Sequence, residues 1–100
     1  MRNELAALHR IPASAILCGN GSMELIACLT QTYCDEQGAV LAPAHAYPFF
    51  LTATELTRAR YDAAPEEGVT ASVDSLLAAV QPDTRIVFIA NPGNPTGTRI

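Results

Sequence analysis

One hundred residues, 49% apolar and 16% charged, are material for one small globular domain; a second domain is excluded, and a disordered chain would be poorer in aliphatic residues. The net charge of −4, with no basic cluster, lacks the footprint that a phosphodiester backbone requires and disfavours anionic membrane surfaces, so neither nucleic acid nor membrane is expected as a partner.

All six basic residues are Arg, so the chain contains no Lys. The three cysteines, Cys18, Cys28 and Cys34, are odd in number, lie in apolar surroundings and lack a CxxC spacing. They are expected to be buried free thiols, which places the chain in a reducing compartment, the cytoplasm. The start, MRNELAALHR, has no apolar h-region, and no stretch approaches the ~18 consecutive apolar residues of a membrane span.

In chain order, Leu5, Ala6 and Leu8 ahead of Pro12 predict a short helix ending near Arg10. The apolar run Ala15-Ile16-Leu17-Cys18 predicts a strand, Gly19-Asn20-Gly21-Ser22 a turn, and Leu25, Ile26, Leu29 and Tyr33 a helix capped by Ser22. Gly38 is expected to stop that helix ahead of a strand over Ala39 to Ala42. Pro43 to Pro48 reads as a loop, Phe49 to Ala59 as a helix, Arg60 to Ala64 as a short strand, and Pro65 to Ser72 as a polar connection. Val73, Leu76, Leu77 and Val80 predict a helix behind a Ser72 cap, and Pro82-Asp83 turns the chain into the strand Ile86 to Ala90. Strands alternating with helices imply an α/β fold with a mostly parallel sheet, and the unbroken apolar run Ile86 to Ala90 fits a strand covered on both faces.

Ligands of open α/β sheets bind beyond the carboxyl ends of strands, where three segments qualify. GNGS, Gly19 to Ser22, is either a glycine turn capped by Ser22 or an anion site using the N–H groups of Ser22, Met23 and Glu24. A dinucleotide fingerprint would need glycine at Glu24, and a P-loop would need lysine. In AHAYP, Ala44 to Pro48, Tyr47 either fills the rim of the core or stacks on a flat ligand. His45 reads as a loop histidine; with only His9 as companion, no metal site is expected. In NPGNPTG, Asn91 to Gly97, both asparagines are held out of helical geometry by the prolines that follow them. That segment is either a stiff turn or a ligand loop presenting the Asn94 amide.

Taken together and in this order, the three segments resemble fold type I pyridoxal-phosphate-dependent aminotransferases of class I/II, most closely the histidinol-phosphate aminotransferases. NPGNPTG resembles the family's NPxNPTG loop, GNGSMELI its phosphate turn, and PAHAYPFF its tyrosine-bearing loop. The resemblance implies a three-layer sheet with helices on both faces, residues 1–100 forming part of the large, cofactor-binding domain. It implies that the backbone at Ser22 and Met23 binds the phosphate of pyridoxal 5'-phosphate, that Tyr47 stacks on the pyridine ring and that Asn94 hydrogen-bonds the 3′-oxygen. Met23 departs from the aspartate that the family often carries at that position. The Schiff-base lysine, the aspartate paired with the pyridine nitrogen and the substrate-gripping arginine of the family lie beyond Ile100, so the chain by itself is expected to be an inactive fragment. The implied whole enzyme is a homodimer that moves an amino group between a small-molecule amino donor, such as a phosphorylated amino compound, and a 2-oxo acid. Alternatives are a related lyase resembling threonine-phosphate decarboxylases, or a non-catalytic α/β module that binds a phosphorylated ligand or a partner.

Overall fold

The structure, a computed structural model, describes residues 1–100. Helix α1 (Arg2–His9) ends at Arg10, whose left-handed backbone (φ 57°) lets Ile11 N–H reach the Ala6 carbonyl at 3.1 Å. A single 3₁₀ turn (Ala13–Ala15) leads to helix α2 (Gly21–Tyr33). Strand β1 (Ala39–Pro43) follows, then α3 (Pro48–Leu56), β2 (Arg60–Ala64), the two-residue strands β3 (Glu66–Glu67) and β4 (Thr70–Ala71), α4 (Val73–Ala79) and β5 (Thr84–Val87).

The main sheet has the order β2-β1-β5 and is wholly parallel. The chain leaves β1 for one neighbour and returns across it to the other, and α3 and α4 lie on opposite faces, as the usual right-handed crossover of parallel strands requires. The core divides accordingly. Val40 and Ala42 pack with Ile26 and Cys34 from the α2 side, Phe50 and Ala53 of α3, and Phe88. On the opposite face Leu41 meets Ala64 and Leu76 of α4. Strand β1 is buried from end to end, as its unbroken run AVLAP requires of a central parallel strand. This is the three-layer α/β architecture with helices on both faces.

Several local expectations are corrected. Ala15 to Cys18 is not a strand: Ala15 closes the 3₁₀ turn, and Leu17 and Cys18 stand exposed with no sheet neighbour. A run of apolar residues becomes a strand only where another strand accepts its hydrogen bonds. Helix α2 is preceded by Asn20 as N-cap rather than Ser22, and no side chain caps it. Its end at Cys34 is extended, and Gly38 follows a turn in which Asp35 Oδ1 accepts from Gln37 N–H at 2.9 Å. Gly38 is glycine for a different reason: a Cβ there would lie 2.8 Å from Cγ of Arg85. Arg85 is the extra residue where the β1–β5 register shifts between Ala39 and Val40.

The last strand is Thr84–Val87 rather than Ile86 to Ala90, because Thr84 pairs with Ala39; its hydrogen bonding extends to Phe88, which donates to the Leu41 carbonyl at 2.9 Å. It is not covered on both faces, since Val87 and Ile89 are exposed. The polar connection 65–72 contains the β3–β4 hairpin, turned by Gly68 at φ 66°. Only Cys34 of the cysteines is buried; Cys18 and Cys28 are exposed, and all three are free thiols.

Candidate functional site

Parallel strands deliver their following loops to one edge of the sheet, and here the loops after β1, β2 and β5 meet. They line a small cleft whose walls include His45 and Ala46 after β1, Glu66 in β3, and Asn94, Thr96 and Thr98 after β5. The last register pair of β1 and β2 is Pro43 with Ala64, so His45 and Glu66 each stand two residues further on, side by side. Glu66 Oε2 accepts from the backbone N–H of His45 at 2.6 Å and pairs with Nδ1 of its ring. The carboxylate-bearing side chain is only 4% exposed, whereas that of His45 is 55% exposed.

The asparagine-proline loop folds onto itself. Gly93 N–H donates to the Thr98 carbonyl at 2.6 Å and Gly97 N–H to the Gly93 carbonyl at 2.8 Å, with Gly97 in the left-handed region (φ 74°) that favours glycine. Thr98 Oγ1 donates to the Val69 carbonyl at 2.7 Å, tying the loop to the β3–β4 hairpin. Asn91 Oδ1 accepts from Ile100 N–H at 3.1 Å, so its amide is spent on the fold. Asn94 is exposed on the cleft, and its side chain makes no hydrogen bond within the chain.

Of the four residues to which the resemblance gives a cofactor contact, Asn94 lines this cleft and Tyr47, Ser22 and Met23 do not. Tyr47 is half-buried, its ring edge-on to Phe50 at a centroid distance of 5.6 Å, so it does fill the rim of the core. Ser22 and Met23 are exposed in the first turn of α2. Helix α2 packs on α3 and β5, and a short connection from its end enters β1, so it runs antiparallel to that strand. Its N-terminus therefore lies at the same edge of the sheet as the cleft. The first-turn N–H groups of α2 have no side-chain acceptor, and the position a Cβ would take on Gly21 (φ 82°) has nothing within 4 Å.

The fold brings to this edge His45, which reads as a loop histidine in the sequence, and Glu66, which lies unmarked in the polar connection 65–72. Their separation of 21 positions carries no periodic signal; only the β1–β2 register pairs them. At the opposite edge Arg60 joins Asp62, Asp83 and Gln81. Hydrogen bonding from Arg60 holds the Asp83 carboxyl below the usual carboxylate range, and the carboxylates push the already high Arg60 value upward.

The molecule is thus a three-layer α/β protein with a polar cleft and an uncapped helix start beyond the carboxyl ends of its parallel strands. The chain belongs to the aminotransferase class I and II family, whose model matches residues 1–100. It is 44% identical over 98 residues to a histidinol-phosphate aminotransferase of Paramagnetospirillum magneticum, an alignment that covers 98% of this chain and 27% of that relative. The chain thus spans about a quarter of the relative's length. A candidate histidinol-phosphate aminotransferase from Erwinia carotovora atroseptica superposes with a TM-score of 0.90 at 27% identity, over 99% of this chain and 30% of that one. The histidinol-phosphate aminotransferase of Sinorhizobium meliloti, solved in complex with pyridoxal-5'-phosphate, superposes with a TM-score of 0.89 at 24% identity. That alignment covers 97% of this chain and 27% of that one, a likeness of fold.

Proposed function

We propose that these residues form part of the cofactor-binding domain of a pyridoxal 5'-phosphate-dependent aminotransferase resembling the histidinol-phosphate enzymes. The whole protein would move an amino group between a phosphorylated amino compound and a 2-oxo acid. The observation that carries the reading is the pair of unspent donor sets at one edge of the sheet: the open first turn of α2 and the unengaged amide of Asn94. The donors fit the cofactor's chemistry, since a helix start suits a phosphate dianion and an amide N–H suits a phenolic oxygen.

The N–H groups of Ser22 and Met23 would bind the phosphate. This backbone role tolerates a methionine side chain, and the open space at Gly21 admits close approach. Asn94 would donate its amide N–H to the 3′-oxygen from a loop whose own hydrogen bonds fix its shape. Tyr47 would cover the pyridine ring with the part of its surface that Phe50 leaves open, and it shares this edge with a second flat side chain, His45. When bound, the cofactor supplies an electron sink that makes the proton on the amino-bearing carbon labile. With no lysine, this chain supplies walls of the site and not its covalent anchor. A homodimer in the cytoplasm is part of the same proposal, supported by family membership and by two exposed free thiols; no helix is long and apolar enough to cross a membrane.

The test is transfer of an amino group from L-histidinol phosphate to 2-oxoglutarate by the whole protein carrying this chain, supplied with pyridoxal phosphate. Production of glutamate is expected. Cofactor binding without transfer to any 2-oxo acid would overturn the aminotransferase reading.

A further inference from the structure

We propose that Glu66 is a positioning residue for the cleft: its buried carboxylate holds the His45 imidazole by Nδ1 and so fixes which ring nitrogen is left for a ligand beside Asn94. The inference rests on the cofactor-site reading given above and adds two residues to it.

A carboxylate side chain that is 4% exposed loses most of its hydration and persists where charge-assisted hydrogen bonds replace the lost water. Glu66 finds two such bonds on one residue, the backbone N–H and the ring Nδ1 of His45. Two-point attachment fixes both the loop and the ring. The Ala44 N–H donates to the Ala64 carbonyl at 2.9 Å one step earlier, so the β1–β2 ladder already sets the separation at which the pair closes. The hairpin carrying Glu66 is itself tied to the asparagine loop through Thr98 and Val69. All three walls of the cleft are therefore joined, and His45 and Asn94 are held on the same lining.

The chemical consequence concerns the tautomer. An imidazole whose Nδ1–H donates to a carboxylate carries no proton on Nε2 when neutral, and in each ring the hydrogen bond at one nitrogen decides the state of the other. Nε2 of His45 has no partner within the chain. It stands as an acceptor for a ligand hydroxyl or amine, on a side chain more than half exposed at the cleft.

The experiment uses the whole protein carrying this chain, with ¹⁵N-labelled histidine, at a pH about two units above the ordinary imidazole pKa of about 6.5. Two-bond ¹⁵N–¹H correlations report the His45 tautomer, and a fluorescence titration reports pyridoxal phosphate affinity. The expected result is an Nδ1–H tautomer in the wild type. Glu66→Ala should shift it toward Nε2–H and weaken pyridoxal phosphate binding roughly three- to tenfold, the net worth of one hydrogen bond. Glu66→Gln keeps one acceptor oxygen and should recover most of both effects. An Nε2–H tautomer in the wild type overturns the proposal whether or not the variants fold, as does a Glu66→Ala protein with unchanged tautomer and affinity. A wild type that shows the Nδ1–H tautomer but binds no pyridoxal phosphate would instead overturn the cofactor site, and with it the ligand assigned to His45.

Discussion

Asn91 and Asn94 have the same side chain and the same following proline, yet only one is spent on the fold. The Asn91 amide oxygen accepts from Ile100, while Asn94 makes no side-chain hydrogen bond in the chain. Asn94→Ala should therefore leave stability within about 0.5 kcal/mol of wild type, measured by chemical denaturation. In the same protein, pyridoxal phosphate affinity should fall by roughly tenfold or more, the worth of a hydrogen bond to a charged oxygen. Asn91→Ala should show the reverse order of effects, and equal losses of stability in the two variants would contradict the division of labour. The cysteines divide similarly. Burial pushes the Cys34 thiol up, whereas Cys18 and Cys28 are exposed. Brief treatment with iodoacetamide should add two labels by mass spectrometry, the third appearing only in denaturant; labelling of Cys34 at the rate of the others would contradict this.

Among the elements, α4 shows local sequence and local structure in agreement. Ser72 Oγ accepts from Ser75 N–H at 3.2 Å, Asp74 sits in the first turn, and Leu76 carries the buried contact. Ser72→Ala should cost about 1 kcal/mol in denaturant unfolding, with no change in the slope. Its neighbour, the ion network of Arg60 on β2, gives a pH signature. The Asp83 carboxyl is lowered in the folded state by hydrogen bonding from Arg60. Its contribution is therefore fully present above the unfolded value of about 3.9 and is lost as pH falls through the folded value. The stability advantage of wild type over Arg60→Gln should hold above about pH 4 and narrow below it. An advantage that widens with acid would reverse the sign and refute the assignment. The helices at α1, α2, α3 and α4 were legible because their apolar residues keep helical spacing within one segment. The apolar run 15–18 was misread because a strand is a property of two segments, and the β3–β4 hairpin was missed because two residues per strand show no period. Its one local signal was Gly68 at the head of a two-residue loop.

At the scale of the molecule, the three-stranded sheet leaves β2 and β5 as edges, and large apolar side chains stand in solvent, among them Leu56, Leu77, Val80, Val87 and Ile89. Unpaired edges beside exposed aliphatic surface favour association. The 100-residue polypeptide on its own should self-associate at micromolar concentration, measured by light scattering, and a monomer with a cooperative thermal transition would contradict that. The candidate site was partly legible for a related reason. GNGS, AHAYP and NPGNPTG announce themselves by glycine and proline, whose backbone constraints are intrinsic, so the sequence by itself determined the alternation of helix and strand, the central run AVLAP and the rigid loop bearing Asn94. Only the tertiary structure decided that Tyr47 leans on Phe50, that α2 starts uncapped, and that Glu66 closes on His45. Those outcomes depend on which strands lie side by side and in what register, and that depends on burying both faces of β1 at once. No single segment contains that information.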